Sequence, residues 1–176
     1  MVQRIAAAIE VLALGLWIGA LAGFAFVFAP TAFSVLPNLN TFAALIGATL
    51  RALTTTGYFL GAFALPAALI RGARSCALMI ACMLALSVYH LQVVMPAMEA
   101  ALHTFTAPIA RTPKDDPRRV RYDAEHRWSS TVYAVVLLLG LIALAGASQP
   151  HTPRTDARRW SPSDILDRFF VASDES

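Results

Sequence analysis

Long apolar runs, almost free of charge, alternate along this chain with short polar connections. Four such runs stand out, at 5–29, 41–70, 76–98 and 129–147. Each holds the ~20 residues that an α-helix needs to cross a hydrocarbon layer of ~30 Å. Lipid offers backbone N–H and C=O groups no partner, so spans of this length satisfy themselves as helices. The pattern therefore predicts an all-α polytopic membrane protein, a bundle of four transmembrane helices. The second run is longer than a membrane is thick at ~1.5 Å per residue, and is expected to tilt or to protrude into the headgroups. The first run is about twice as long as the apolar core of a signal peptide and ends in no small-residue cleavage site, so it reads as a retained span.

The connections add an orientation. The segment from Pro30 to Asn40 carries no charge, whereas the next is the tight basic turn Arg71-Gly72-Ala73-Arg74. Under the positive-inside tendency this favours both termini in the cytoplasm, with Arg4, Arg71, Arg74 and the tail arginines inside. Arg111, Lys114, Arg118, Arg119, Arg121 and Arg127 would then lie outside. The loop 99–128 is punctuated by Pro108, Pro113 and Pro117, and Asp115-Asp116-Pro117 reads as a capped helix start, so the fourth helix is expected to begin well before its apolar run. Trp128 and Arg127 suit the interface. Residues 1–148 form one transmembrane domain. The polar tail 149–176, with Pro150, Pro153 and Pro162, is expected to be disordered or to carry one short amphipathic helix bearing Ile165, Leu166, Phe169 and Phe170.

Composition agrees with lipid as solvent: 57% of residues are hydrophobic and 14% charged, with a mean hydropathy of +0.60. The net charge of +3 comes from arginines flanking the spans and not from a basic face interleaved with aromatics, which argues against nucleic acid as a partner. The lipid bilayer is the expected partner. Cys76 and Cys82 are six residues apart, point in different directions on a helix and read as small packing residues.

Two sets of residues could carry function. Gly15, Gly19 and Gly23 form a smooth stripe on the first helix, and Gly57 and Gly61 repeat it on the second, with Trp17 beside the first stripe. Such stripes allow close helix approach, either within the bundle or in a homo-oligomer. Ionisable residues inside spans are the other set, since they are expensive there. Glu10 falls toward the cytoplasmic side, in a half that otherwise reads as plain close packing. Arg51, Tyr89, His90, Gln92, Glu99, His126, Ser129 and Ser130 all fall in the outer half, and a polar pocket opening outward is expected from them. Arg51 there has two readings, either snorkelling or a structural hydrogen bond to a neighbouring helix, or else binding an anionic ligand or headgroup.

His90, Met95, Met98, Glu99, His103 and His126 are the residues a soft metal ion would use. No HxxxH, CxxC or repeated Met motif fixes a site among them, and neither a metal nor any other cofactor is expected. Ser129, Ser130 and Thr131 beside His126 lack a placed acid or a strained turn, so no nucleophilic constellation supports an enzyme.

Several of these pieces, taken in order, resemble the transmembrane protein 205-like domain family, an integral membrane domain of unknown function. They are Gly15-Leu16-Trp17-Ile18-Gly19 with the apolar continuation to Leu36-Pro37, the long second helix with Phe42 and Gly47, and Asp116-Pro117 through Tyr122 to His126-Arg127-Trp128-Ser129-Ser130. The resemblance covers most of 5–147 and leaves out the tail; residues 132–134 lack the Asn that often follows the motif. It implies a four-helix integral membrane protein, and a vertebrate relative is associated with tolerance of platinum drugs and with secretory trafficking. The Ala- and Arg-rich composition suggests a bacterial member, in the inner membrane. The sequence thus points first to a non-enzymatic scaffold or accessory membrane protein, and second to a small transporter or a tolerance protein for metals or toxic compounds.

Overall fold

The computed structural model describes residues 1–36, 39–105 and 109–149. The expected tail helix lies outside them. Four long helices account for nearly all of the described chain, and no strand occurs among the described residues. Helix α1 runs from Val2 to Val35, α2 from Leu39 to Ile70, α3 from Arg74 to Leu102 and α4 from Pro117 to Ala147. All four are long and apolar enough to cross a membrane.

Two of these helices outrun their apolar patterns because each absorbs a proline. In α1 a π turn at Phe24–Phe28 precedes Pro30, and in α3 a π turn at His90–Val94 precedes Pro96. Proline lacks an N–H and its ring collides with the carbonyl four residues back. Widening the preceding turn gives that ring room: Ala29 and Met95 donate to the carbonyls of Phe24 and His90, five residues back. Helix α4 starts as the sequence predicts. The Asp116 side chain accepts from the backbone N–H of Arg118 at 2.9 Å, with Pro117 in the first turn.

The helices pack in a closed ring, α1 on α2, α2 on α3, α3 on α4 and α4 back on α1. The α2–α3 turn shows why neighbours are antiparallel. Gly72 adopts a left-handed conformation (φ 73°). Its N–H bonds to the Leu69 carbonyl while that of Ala73 reaches the Ala68 carbonyl. This is the Schellman closure that glycine permits at a helix C-terminus, and α3 begins immediately after it. The turn, the N-terminus of α1 and the last turn of α4 therefore share one end of the bundle, called here the terminal end. The connection between α3 and α4 marks the opposite, loop end.

The core lies mainly in the terminal half and centre: Leu14, Trp17 and Ile18 of α1 meet Ala64 and Ala68 of α2, Ile80 and Met83 of α3, and Val136 and Ala143 of α4. Small residues let the helices come close. A Cβ at Gly57 would lie 2.5 Å from Trp17 Nε1, and one at Gly140 would overlap Ile18 Cδ1. Gly15, Gly19 and Gly23 behave differently. A Cβ at any of them would meet nothing within 4 Å among the described residues.

Candidate functional site

The buried polar groups fall into two clusters, one at each end of the apolar core. In the loop half, His90 begins the π turn of α3 and is buried, with a relative exposure of 1%. Its Nε2 lies 2.8 Å from the hydroxyl of buried Ser129 on α4. One turn further along α4, the Tyr133 ring meets the imidazole edge-on at 4.4 Å between centroids. The Tyr133 hydroxyl in turn lies 2.7 Å from Thr54 on α2. Thr54 already donates its hydroxyl hydrogen to the Leu50 carbonyl, which leaves Tyr133 as the donor of the shared bond. Among the described residues, His90 Nδ1 has no hydrogen-bond partner. Whichever ring nitrogen carries the proton, the imidazole is left one bond short.

The remaining residues that the sequence assigns to an outer pocket are placed around this pair. Arg51 of α2 and Glu99 of α3 form an ion pair at 2.5 Å, both about half exposed (56% and 47%). Tyr89 accepts from the Trp128 indole at 3.1 Å on the exposed surface between α3 and α4. Gln92, His126 and Ser130 are exposed. Ser130 donates to the carbonyl of His126 one turn earlier, and the His126 ring stacks on Tyr122 at 6.2 Å. The structure thus brings together His90 with Ser129 and Arg51 with Glu99, while Arg51, Tyr89 and His126 face outward.

The residues considered for a metal are spread in the same way. His90 and Met95 are buried, Met98 is half-buried, and Glu99, His103 and His126 are exposed. Among the described residues, no three His, Cys, Asp or Glu side chains come together as a metal site.

The terminal half is not plain close packing, which is a correction to the sequence reading. Glu10 of α1 is fully buried and faces Arg71, itself only 5% exposed. Arg71 Nη2 donates to Glu10 Oε1 at 3.3 Å. Its Nε approaches Oε2 at 3.0 Å, close enough for an ion pair but outside hydrogen-bond geometry. The guanidinium also donates through Nη1 to the Ala147 carbonyl at 2.8 Å, filling an acceptor that the end of α4 leaves open. The Schellman turn holds this arrangement, because Arg71 is the last residue before Gly72 and is carried inward by the closure. A cation is also favoured there by the negative ends of α2 and α4. Cys76 packs beside it, its thiol 3.7 Å from the Ala143 carbonyl. The sequence contained a signal for this pair: one acid within the first span and one arginine at the close of the second, both at the same end.

Four membrane-length helices around an apolar core, with the ion pair and the histidine cluster sealed among them, define an integral membrane protein of the helical-bundle class. The chain belongs to a family catalogued as a domain of unknown function, DUF4149, which matches residues 12–106. That stretch takes in most of α1 and all of α2 and α3, so it includes Arg71 and His90 but neither Glu10 nor Ser129. No match was found among curated proteins or among solved structures.

Proposed function

We propose that this protein is a non-catalytic membrane scaffold that acts by docking a partner helix on α1. The observation that carries this reading is the glycine stripe Gly15, Gly19 and Gly23, where an added Cβ would meet no neighbour within 4 Å among the described residues. A glycine in a helix interior costs about 1 kcal/mol relative to alanine. At Gly57 and Gly140 close contact with Trp17 and Ile18 offsets that cost; on the α1 stripe the bundle offers nothing in return. A second helix laid on the stripe would supply the close backbone approach for which such spacing is suited.

The outward directions of Arg51 and His126 favour this reading over a transporter built on an outer pocket. The basic turn supports placing the terminal end in the cytoplasm of a bacterium, with the inner membrane as host; a reporter enzyme fused at either end of α4 reads that orientation. The resemblance to the transmembrane protein 205-like group is a separate one: its pieces at 15–19 and 42–47 fall within the stretch that the DUF4149 family matches and its piece at 116–130 falls beyond it.

A second copy of the chain is the partner to test. Labelled protein in liposomes at low protein-to-lipid ratio should show energy transfer between copies. Gly19→Leu should abolish it and leave the melting temperature unchanged, whereas Gly57→Leu, which collides with Trp17, should lower the melting temperature. Equal energy transfer in wild type and Gly19→Leu would overturn the assignment of this face.

A further inference from the structure

At the terminal end, the turn from α2 to α3 and the last turn of α4 border an open cleft of about 380 Å³, lined by Arg71, Gly72, Ala73, Arg74, Ser75, Cys76 and Gly146. That volume lies at the lower end of the ~300–1,000 Å³ typical of small-ligand sites. Its charge is unbalanced. Arg71 is matched by Glu10, but Arg74 has no ion-pair partner among the described residues, and Glu10 is the one acid that those residues place at this end. One uncompensated guanidinium, that of Arg74, thus borders the cleft beside the neutralised Glu10–Arg71 pair. The Ser75 hydroxyl is a further donor on the same wall, and no side chain caps α3 at Ala73.

We propose that this cleft binds a phosphate group, that of an anionic phospholipid headgroup. The position argues for lipid as the source. The cleft sits where two membrane-length helices meet through a three-residue turn, which is the depth of the headgroups, and basic pockets between transmembrane helices suit anionic headgroups. Arginine presents a planar fork of donors that matches phosphate oxygens two at a time. Arg71 is buried and held in place by Glu10 and the Ala147 carbonyl, so it is a fixed wall of the site. Arg74 is exposed and free to close on the ligand. The lipid's acyl chains would leave the cleft along the apolar outer surface, where Leu69, Ile70 and Leu78 are exposed.

Native mass spectrometry of the delipidated full chain in detergent tests this, with phosphatidylglycerol, phosphatidylcholine and inorganic phosphate as probes. Phosphatidylglycerol should bind at one copy per chain and raise the melting temperature, and phosphatidylcholine should do neither. Arg74→Gln leaves the Glu10–Arg71 pair intact and should weaken phosphatidylglycerol binding about tenfold with an unchanged lipid-free melting temperature. Arg111→Gln, at the loop end, should leave binding as in wild type. Equal loss in both variants would show general charge attraction and overturn the site, as would equal retention of the two lipids. Protection by inorganic phosphate without phosphatidylglycerol binding would overturn the lipid as source and leave an anion site.

Discussion

The two polar clusters handle the same difficulty in opposite ways. At the terminal end, full charges are buried and matched: Glu10 and Arg71 neutralise each other, and the guanidinium spends a further donor on the Ala147 carbonyl. In the loop half the buried groups are neutral hydrogen-bonding side chains, His90 with Ser129 and Tyr133 with Thr54, while the charged pair Arg51–Glu99 is left half exposed. Burying ions costs several kcal/mol each unless partners are placed for them. A tight glycine-closed turn can place such a partner. A helix flank loosened by a π turn and a proline has less positional control, and there the chain uses groups whose misplacement costs less. The difference tracks the π turns and the closure at Gly72 and not proline itself, because Pro66 lies within α2 near the terminal end and no π turn accompanies it.

The sharpest way to break this comparison is to remove one charge of the buried pair. Arg71→Met should destabilise the bundle by about 3–5 kcal/mol, because it strands the Glu10 carboxylate in the core. Glu10→Leu combined with Arg71→Met should recover most of that loss, since two apolar side chains then fill the space of two ions. Reversible unfolding in mixed micelles measures both. A double variant as unstable as the single one would mean that the Arg71 bond to Ala147, and not the ion pair, secures the terminal end.

The neutral cluster should respond more weakly. Ser129→Ala removes the bond to His90 Nε2, and neutral hydrogen bonds within membrane proteins are worth about 0.6 kcal/mol on average and ~1.7 at most. A loss of about 1 kcal/mol in the same unfolding assay is expected, several times less than for Arg71→Met. A loss equal to that of Arg71→Met would erase the distinction between the two ends and make His90 a structural keystone.

What could be read from the sequence divides along the same line. Spans, antiparallel order and the Asp116-Pro117 start of α4 were legible because each depends on local signals: apolar length, a short turn, a capping carboxylate before proline. The contacts of Trp17 with Gly57 and of Ile18 with Gly140 were not, since glycine spacing reports a smooth face without saying which helix occupies it. On the α1 stripe, equally smooth, added Cβ atoms would meet nothing within 4 Å among the described residues. Glu10 and Arg71 could be assigned to one end but not paired, because pairing depends on the rotation of α1 about its axis and on the inward set of the turn at Gly72. Among the polar residues of the loop half, the end of the bundle was legible and direction was not. His90 and Gln92 are two residues apart in one π turn, yet one is buried and the other exposed.

The smallest effect lies outside the membrane, where the loop end is tied down by α4's extension. The Asp116 carboxyl is drawn down from an ordinary value of 3.8 to about 2, first by hydrogen bonds from the Arg118 side chain and then by the backbone N–H of Arg118. Arg118 grips both carboxylate oxygens, at 3.1 and 2.7 Å. A carboxyl whose folded pKa lies below its unfolded one stabilises the folded state fully above the unfolded value. That contribution is lost as pH falls through the window from about 3.8 to 2. Protection of the Arg118 amide, measured against its intrinsic exchange rate at each pH, should therefore fall across that window in wild type, with protection of the α4 residues around Gly140 unaffected. Asp116→Asn retains a capping oxygen but cannot titrate, so its protection at Arg118 should show no step there. If wild type and Asp116→Asn showed the same step, the acid response would belong to another carboxylate. The Arg119 grip on Asp123 and on the Ile109 carbonyl, at 3.1 and 2.6 Å, would then be the contact that orders the loop end.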